Sequence, residues 1–177
     1  MGFDFNKNHF ELFGLTPSFQ MDITRLEQAY RDIQSQVHPD KFAHLSDAER
    51  RLSMQWATQA NEAYQILRRP TERARYLLKL RGVDTQEETN TAMSPAFLMQ
   101  QMEWREAIGE ARASKDTIAL EELDAHLRKQ VAAQQLLLTR FLDEEQNNQK
   151  AAEVVRELKF IEKLRDEVHH ALEALEA

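Results

Sequence analysis

The chain has 177 residues, 42% of them hydrophobic and 30% charged, with four Gly and four Pro, a balance that suits packed helices and argues against disorder. It has no Cys, which removes disulfides, thiolate zinc sites and iron–sulfur ligation by this chain, and its formal charge of −7 disfavours general nucleic-acid binding. No apolar stretch approaches membrane-spanning length, and Met1 to His9 has neither a signal peptide's apolar segment nor an Arg-rich transit character, so the expectation is a soluble protein in the compartment of its synthesis.

The first strong helical pattern is Ile23, Leu26, Tyr30, Ile33 and Val37, spaced by three or four residues, with Asp22 placed to cap it. Pro39 disfavours helical geometry at His38 and ends the helix there. Ser46 and Glu49 form the S-x-x-E pattern of a capping box, which opens a second helix with Leu52, Trp56, Ala60, Ala63 and Leu67 on one face. Two helices with facing apolar stripes and a short connection pack as an antiparallel hairpin, and His38, Pro39 and Asp40 would stand at its exposed tip.

Arg68-Arg69-Pro70 ends the hairpin, and a short helix from Thr71 to Leu80 follows, with Gly82 placed as its stop. Residues 83–93 are polar and lack periodicity, as a surface loop does. Ser94-Pro95 then reopens helix to about Arg112. A second long pattern runs from about Lys115 to Leu142 and a third from about Gln146 to Leu172. Three long helices with short connections make an antiparallel bundle, so the fold class is all-α. Charge is unevenly divided: residues 1–80 carry 11 Lys+Arg against 10 Asp+Glu, a net +1, and residues 81–177 carry 12 against 20, a net −8. The two halves are expected to meet different partners.

Taken singly, His38 could finish a helix, Pro39 could stop it and Asp40 could make a local turn. Together at a hairpin tip they suit docking. Pro39 stiffens the corner, which lowers the entropy lost on binding, and Asp40 offers a carboxylate for bidentate pairing with an Arg. This arrangement resembles a J-domain, the part of DnaJ-type co-chaperones that stimulates the ATPase of a DnaK-type partner. His9 to Leu15 looks like the family's short first helix, and Asn61 to Leu67 like the end of its third. The resemblance continues through Arg73 to Leu78, Ala96 to Met99 and Arg156 to Leu164, and over the full length the chain is similar to the HscB family, J-proteins of iron–sulfur cluster assembly.

That resemblance implies a J-domain over 1–75, a connecting helix and loop over 76–93, and a bundle over 94–177. It implies a co-chaperone, not an enzyme, that engages an HscA-like DnaK-type ATPase through His38, Pro39 and Asp40. Arg25, Arg31 and Lys41 would assist. The runner-up is a general J-protein with another client. From other classes, a structural helical adaptor or a hydrolase using its glutamates would be distinguished by whether ATP turnover needs an added DnaK-type ATPase.

On the first bundle helix, Phe97, Gln101, Trp104 and Ile108 form the core-facing stripe at about 100° per residue. Leu98, Met99, Met102, Glu103, Glu106 and Glu110 fall in a separate arc of roughly 140°. Periodicity alone leaves two readings: Leu98 and Met102 widen the core stripe beside solvated glutamates, or they form an apolar patch rimmed by charge that binds a protein. The resemblance implies the second, an IscU-type scaffold site on these six residues with Phe160, which by pattern could equally be buried. Gln100 stands where the family often carries another acidic residue, and Met102 where Leu is common. None of the six His residues pairs with another at i, i+4, and no phosphate loop or nucleophile elbow occurs, so no metal, cofactor or catalytic site is expected. The absence of a presequence favours bacterial cytoplasm.

Overall fold

A computed structural model describes residues 3–41, 43–87 and 93–177. Residues 88–92 of the expected connecting loop lie outside the described residues. All regular elements among those described are helical. In chain order they are α1 (His9–Leu12), α2 (Ile23–Gln36), α3 (Asp47–Leu67), α4 (Pro70–Leu80), α5 (Pro95–Ala113), α6 (Thr117–Leu138) and α7 (Asn148–Glu176). A 3-10 turn covers Pro39–Lys41 and a π turn Thr139–Glu144. The chain divides into two compact units, one up to Leu77 and one from Leu78.

In the first unit the caps read from sequence are in place. The Asp22 carboxylate accepts from the Thr24 and Arg25 amides, and Ser46 and Glu49 complete a reciprocal capping box. Leu26 and Ile33 of α2 are buried, as are Trp56, Ala60, Ala63 and Leu67 of α3. The rings of Tyr30 and Tyr64 stack at 4.2 Å with an interplanar angle of 2°, and the Tyr30 hydroxyl bonds Asn61 Oδ1 at 3.0 Å, so the hairpin is stitched by packing and by polar contact. Arg73 is buried, and its guanidinium donates to the carbonyls of Phe19 and Leu67, both at 2.7 Å. That side chain holds the 13–22 connection and the end of α3 to α4. The Tyr76 hydroxyl accepts from the His9 amide at 2.9 Å, and burial pushes its phenol above the ordinary range.

Two expectations about the hairpin core are corrected. Leu52 is 45% exposed and Ile23 38%. Leu52 and Ser53 lie at about equal angles, roughly 50°, on either side of the α3 stripe, and the smaller Ser53 is the one buried. Ile23 is the first residue of α2, where the stripe runs out into solvent.

In the second unit α5 contributes Phe97, Trp104 and Ile108, α6 Leu120 and Leu127, and α7 Ile161, Leu164 and Val168 to one buried cluster. Each fully buried Leu in it contributes about 1.5–3 kcal/mol. Two boundaries differ from the sequence expectation. Helix α6 begins at Thr117, because Lys115 takes φ 54° and Asp116 caps the helix. It ends at Leu138 in the π turn, closed by the Glu145 amide on the Arg140 carbonyl at 2.8 Å and by Gln146 at φ 51°. Neither left-handed position is a glycine, so neither stop was visible in the sequence.

Polar links also join α6 and α7. Asp124 pairs with Arg165 at 3.1 Å and lies 3.0 Å from His169 Nε2. Gln134 Nε2 donates to Glu157 Oε2 at 2.6 Å, and burial outweighs that bond and raises the Glu157 carboxyl above the usual range. A raised folded-state pKa favours the fold while the carboxyl is protonated, and that contribution is lost as pH rises through the folded value. Glu157→Gln keeps an acceptor for Gln134, so it should raise the melting temperature at neutral pH and leave it nearly unchanged at acid pH. Thermal melts of both proteins across that range check this; equal stability at every pH would contradict it.

Candidate functional site

The tip of the first unit follows from where α2 must stop. Pro39 lacks the amide that a further turn would need, so the chain leaves the helix after Val37, whose amide still bonds the Ile33 carbonyl at 3.0 Å. It closes a tight turn in which the Lys41 amide meets the His38 carbonyl at 2.9 Å. The Asp40 amide donates to His38 Nδ1 at 3.3 Å, and the two side chains approach to 3.5 Å, an ion pair when the imidazole is protonated. Their side chains are 60% and 91% exposed. The imidazole and the carboxylate engage each other and no other described group, so both face solvent from a corner fixed by its backbone.

The three cations singled out from sequence are all exposed, but they are not brought together. Lys41 belongs to the tip turn. Arg31 stands about 10 Å along α2 from His38, with its guanidinium on Gln28 Oε1 at 3.1 Å. Arg25 lies in the first turn of α2, roughly 20 Å from the tip. A partner touching all three must therefore lie along α2, with the tip as one end of its footprint.

The second candidate surface is the outward side of α5. Ser94 accepts from the Phe97 amide and Pro95 takes the first helical position, which sets the helix with Phe97, Gln101, Trp104 and Ile108 buried. The opposite arc then carries Leu98, Met99 and Met102, which are 43%, 64% and 70% exposed. Glu103, Glu106 and Glu110 are exposed as well. Leu98 and Met102 thus do not widen the core stripe.

Phe160 is half-buried, packed against the cluster shared by α5, α6 and α7. Sequence reasoning passed over the pair that places it. Arg105 of α5 meets Glu167 of α7 at 3.8 Å. Because α6 returns between them, α5 and α7 run the same way. Two turns back from that ion pair stand Leu98 and Phe160, each seven residues upstream, so Phe160 lies on the Leu98 edge of the α5 arc. The shared seven-residue spacing was the available signal. The result is an apolar strip continued by three carboxylates, suited to a partner surface with an apolar centre and cationic flank.

Among the described residues no group of three His, Asp or Glu could hold a metal ion, and no helix is long and apolar enough to cross a membrane.

Residues 8–76 match the DnaJ domain, and residues 93–169 match the domain described as the HSCB C-terminal oligomerisation domain. The co-chaperone protein HscB homolog of Azoarcus sp. is 51% identical over 176 residues, covering 99% of each chain. That of Ralstonia nicotianae is 53% identical over 168 residues, covering 95% of this chain and 96% of the other. Among solved structures, chaperone HscB from Vibrio cholerae superimposes with a TM-score of 0.82 at 37% identity, covering 96% of this chain and 99% of that one. Human co-chaperone HscB gives 0.87 at 27% identity, covering 94% and 83%. A DnaK-type chaperone is the partner class that a J-domain implies. With its J-domain, helical C-terminal unit and near full-length identity to curated relatives, the chain belongs to the HscB family of co-chaperones.

Proposed function

We propose that this chain stimulates the ATPase of an HscA-like DnaK-type chaperone and delivers an IscU-type scaffold to it during iron–sulfur cluster assembly and transfer. His38, Pro39 and Asp40 form the ATPase-facing contact, with Arg31 and Lys41 beside them and Arg25 at the far end of α2. Leu98, Met99, Met102, Glu103, Glu106, Glu110 and Phe160 receive the scaffold. The chain itself performs no covalent chemistry; it couples two binding events, so that hydrolysis in the partner follows arrival of the client. A bacterial cytoplasmic setting fits the bacterial sources of the curated relatives.

The observation that carries the reading is the exposure of the tip, with an imidazole and a carboxylate that the rest of the fold leaves free for a partner. The separate apolar and acidic arc on α5 supports the second half. Its two exposed methionines are side chains that adapt to a partner's contours.

His38→Gln should abolish ATPase stimulation and leave the melting temperature unchanged, since the side chain is solvated. A steady-state ATPase assay beside a thermal melt checks it, and a joint loss of stability and stimulation would make His38 structural. Replacing Leu98, Met99 and Met102 together by Ala should weaken scaffold binding at least about tenfold without destabilising the fold. Phe160→Ala should lower both affinity and stability, the latter by about 1–2 kcal/mol, because the ring is partly buried against the bundle core. Calorimetry with a folded scaffold and with a denatured chain separates this reading from that of a general J-protein: tight binding to the denatured chain alone would favour the latter.

A further inference from the structure

Six methionines carry all the sulfur of this chain, since it has no Cys. Among the described residues three of them are well exposed, Met54 at 69%, Met99 at 64% and Met102 at 70%, whereas Met21 and Met93 are half-buried. Met99 and Met102 share one helix. Three residues apart on α5, they are neighbours on one face, about 5 Å from each other along the axis. They are also two of the three exposed apolar side chains of the α5 strip, the third being Leu98.

Their surroundings decide what a polar atom would meet there. Three and four positions from Met99 stand Pro95, Ala96, Met102 and Glu103, and from Met102 stand Leu98, Met99, Arg105 and Glu106. Carboxylates accept hydrogen bonds, and the backbone amides here are taken up by the helix ladder. Arg105 is the one side-chain donor in that set, and its guanidinium is drawn to Glu167 of α7 at 3.8 Å. An oxygen added to either thioether would thus lie among acceptors and apolar groups.

We propose that Met99 and Met102 are a site of reversible oxidation by peroxides, and that their conversion to sulfoxides releases the client from α5. This rests on the assignment of that strip to the scaffold. A thioether lone pair attacks one peroxide oxygen; the S–O bond forms as the O–O bond breaks, and the departing hydroxide takes up the remaining proton as water. Sulfur loses two electrons and the peroxide gains them. Methionine sulfoxide reductases reverse the change with a dithiol, which becomes a disulfide while the sulfoxide oxygen leaves as water. The unmodified side chains are flexible and apolar, suited to a partner's contours. Their sulfoxides are polar and chiral, and docking would bury an acceptor that lacks a donor. Phe97, Trp104 and Ile108 still seat α5 in the bundle, so the modified chain keeps its fold and loses its client.

The chain alone should be treated with hydrogen peroxide, freed of it, and then titrated with the folded scaffold, which meets no oxidant. Peptide masses should rise by about 16 Da at Met99 and Met102. The melting temperature should stay unchanged and scaffold affinity should fall at least about tenfold. Methionine sulfoxide reductases with a dithiol should restore it. Met54→Leu removes the third exposed sulfur and should alter neither binding nor its loss on oxidation. Met99→Leu combined with Met102→Leu keeps the strip apolar at similar volume. Whatever affinity that double variant starts from should be the same before and after peroxide. An untreated chain that does not bind the scaffold overturns the reading of the α5 strip along with the release. With binding intact, three results overturn the proposal alone: sulfoxides at both positions without loss of affinity, Met99 and Met102 reduced while Met54 is oxidised, or an equal loss in the double Leu variant.

Discussion

The contact between α2 and α3 is the constraint on which the proposed activity depends. Leu26 and Ile33 on one helix and Trp56, Ala60, Ala63 and Leu67 on the other are removed from water, and the Tyr30–Tyr64 stack fixes their register. With the two stems held, a residue that ends α2 has nowhere to go but outward. Pro39 makes that ending compulsory, and His38 and Asp40 are carried into solvent by it. The exposed polar corner is thus a consequence of the buried apolar seam, and loosening the seam would blunt the corner without touching it.

Much of this was legible because the local signals are strong. Asp22, the Ser46–Glu49 box, Ser94-Pro95 and Gly82 each mark a helix end through side-chain or backbone chemistry that needs no tertiary context. The α5 arc could also be laid out from spacing, although spacing did not decide whether Leu98 and Met102 joined the core. The misplaced features were those decided by packing. Leu52 and Ser53 were equally placed to enter the α3 seam, and hydrophobicity pointed to the wrong one. Lys115 and Gln146 adopt left-handed backbone without being glycine, so the ends of α6 could not be read. The position of Phe160 depended on the Arg105–Glu167 register between two helices far apart in sequence. The charge division, net +1 over residues 1–80 and −8 over 81–177, was visible at once and has its structural counterpart in the three exposed glutamates of α5.

The chain keeps its chemistry simple. It offers a stiff polar corner on one unit and an apolar strip with acidic continuation on another, and both are presented by helices whose inner faces are fully committed to packing. Such surfaces suit partners that must dock and leave, since little of the chain has to order on contact. Under the proposed function, one chain carrying both surfaces gains proximity: a client on α5 is brought to the ATPase at a high effective concentration.

Coupling of the two proposed surfaces is measured by ATP turnover of an HscA-like chaperone. Turnover should be followed with the chain alone, with the IscU-type scaffold alone, and with both. Coupling predicts an acceleration with both that exceeds the product of the separate accelerations. An acceleration equal to that product would mean that the tip and the α5 strip act independently, and would contradict it.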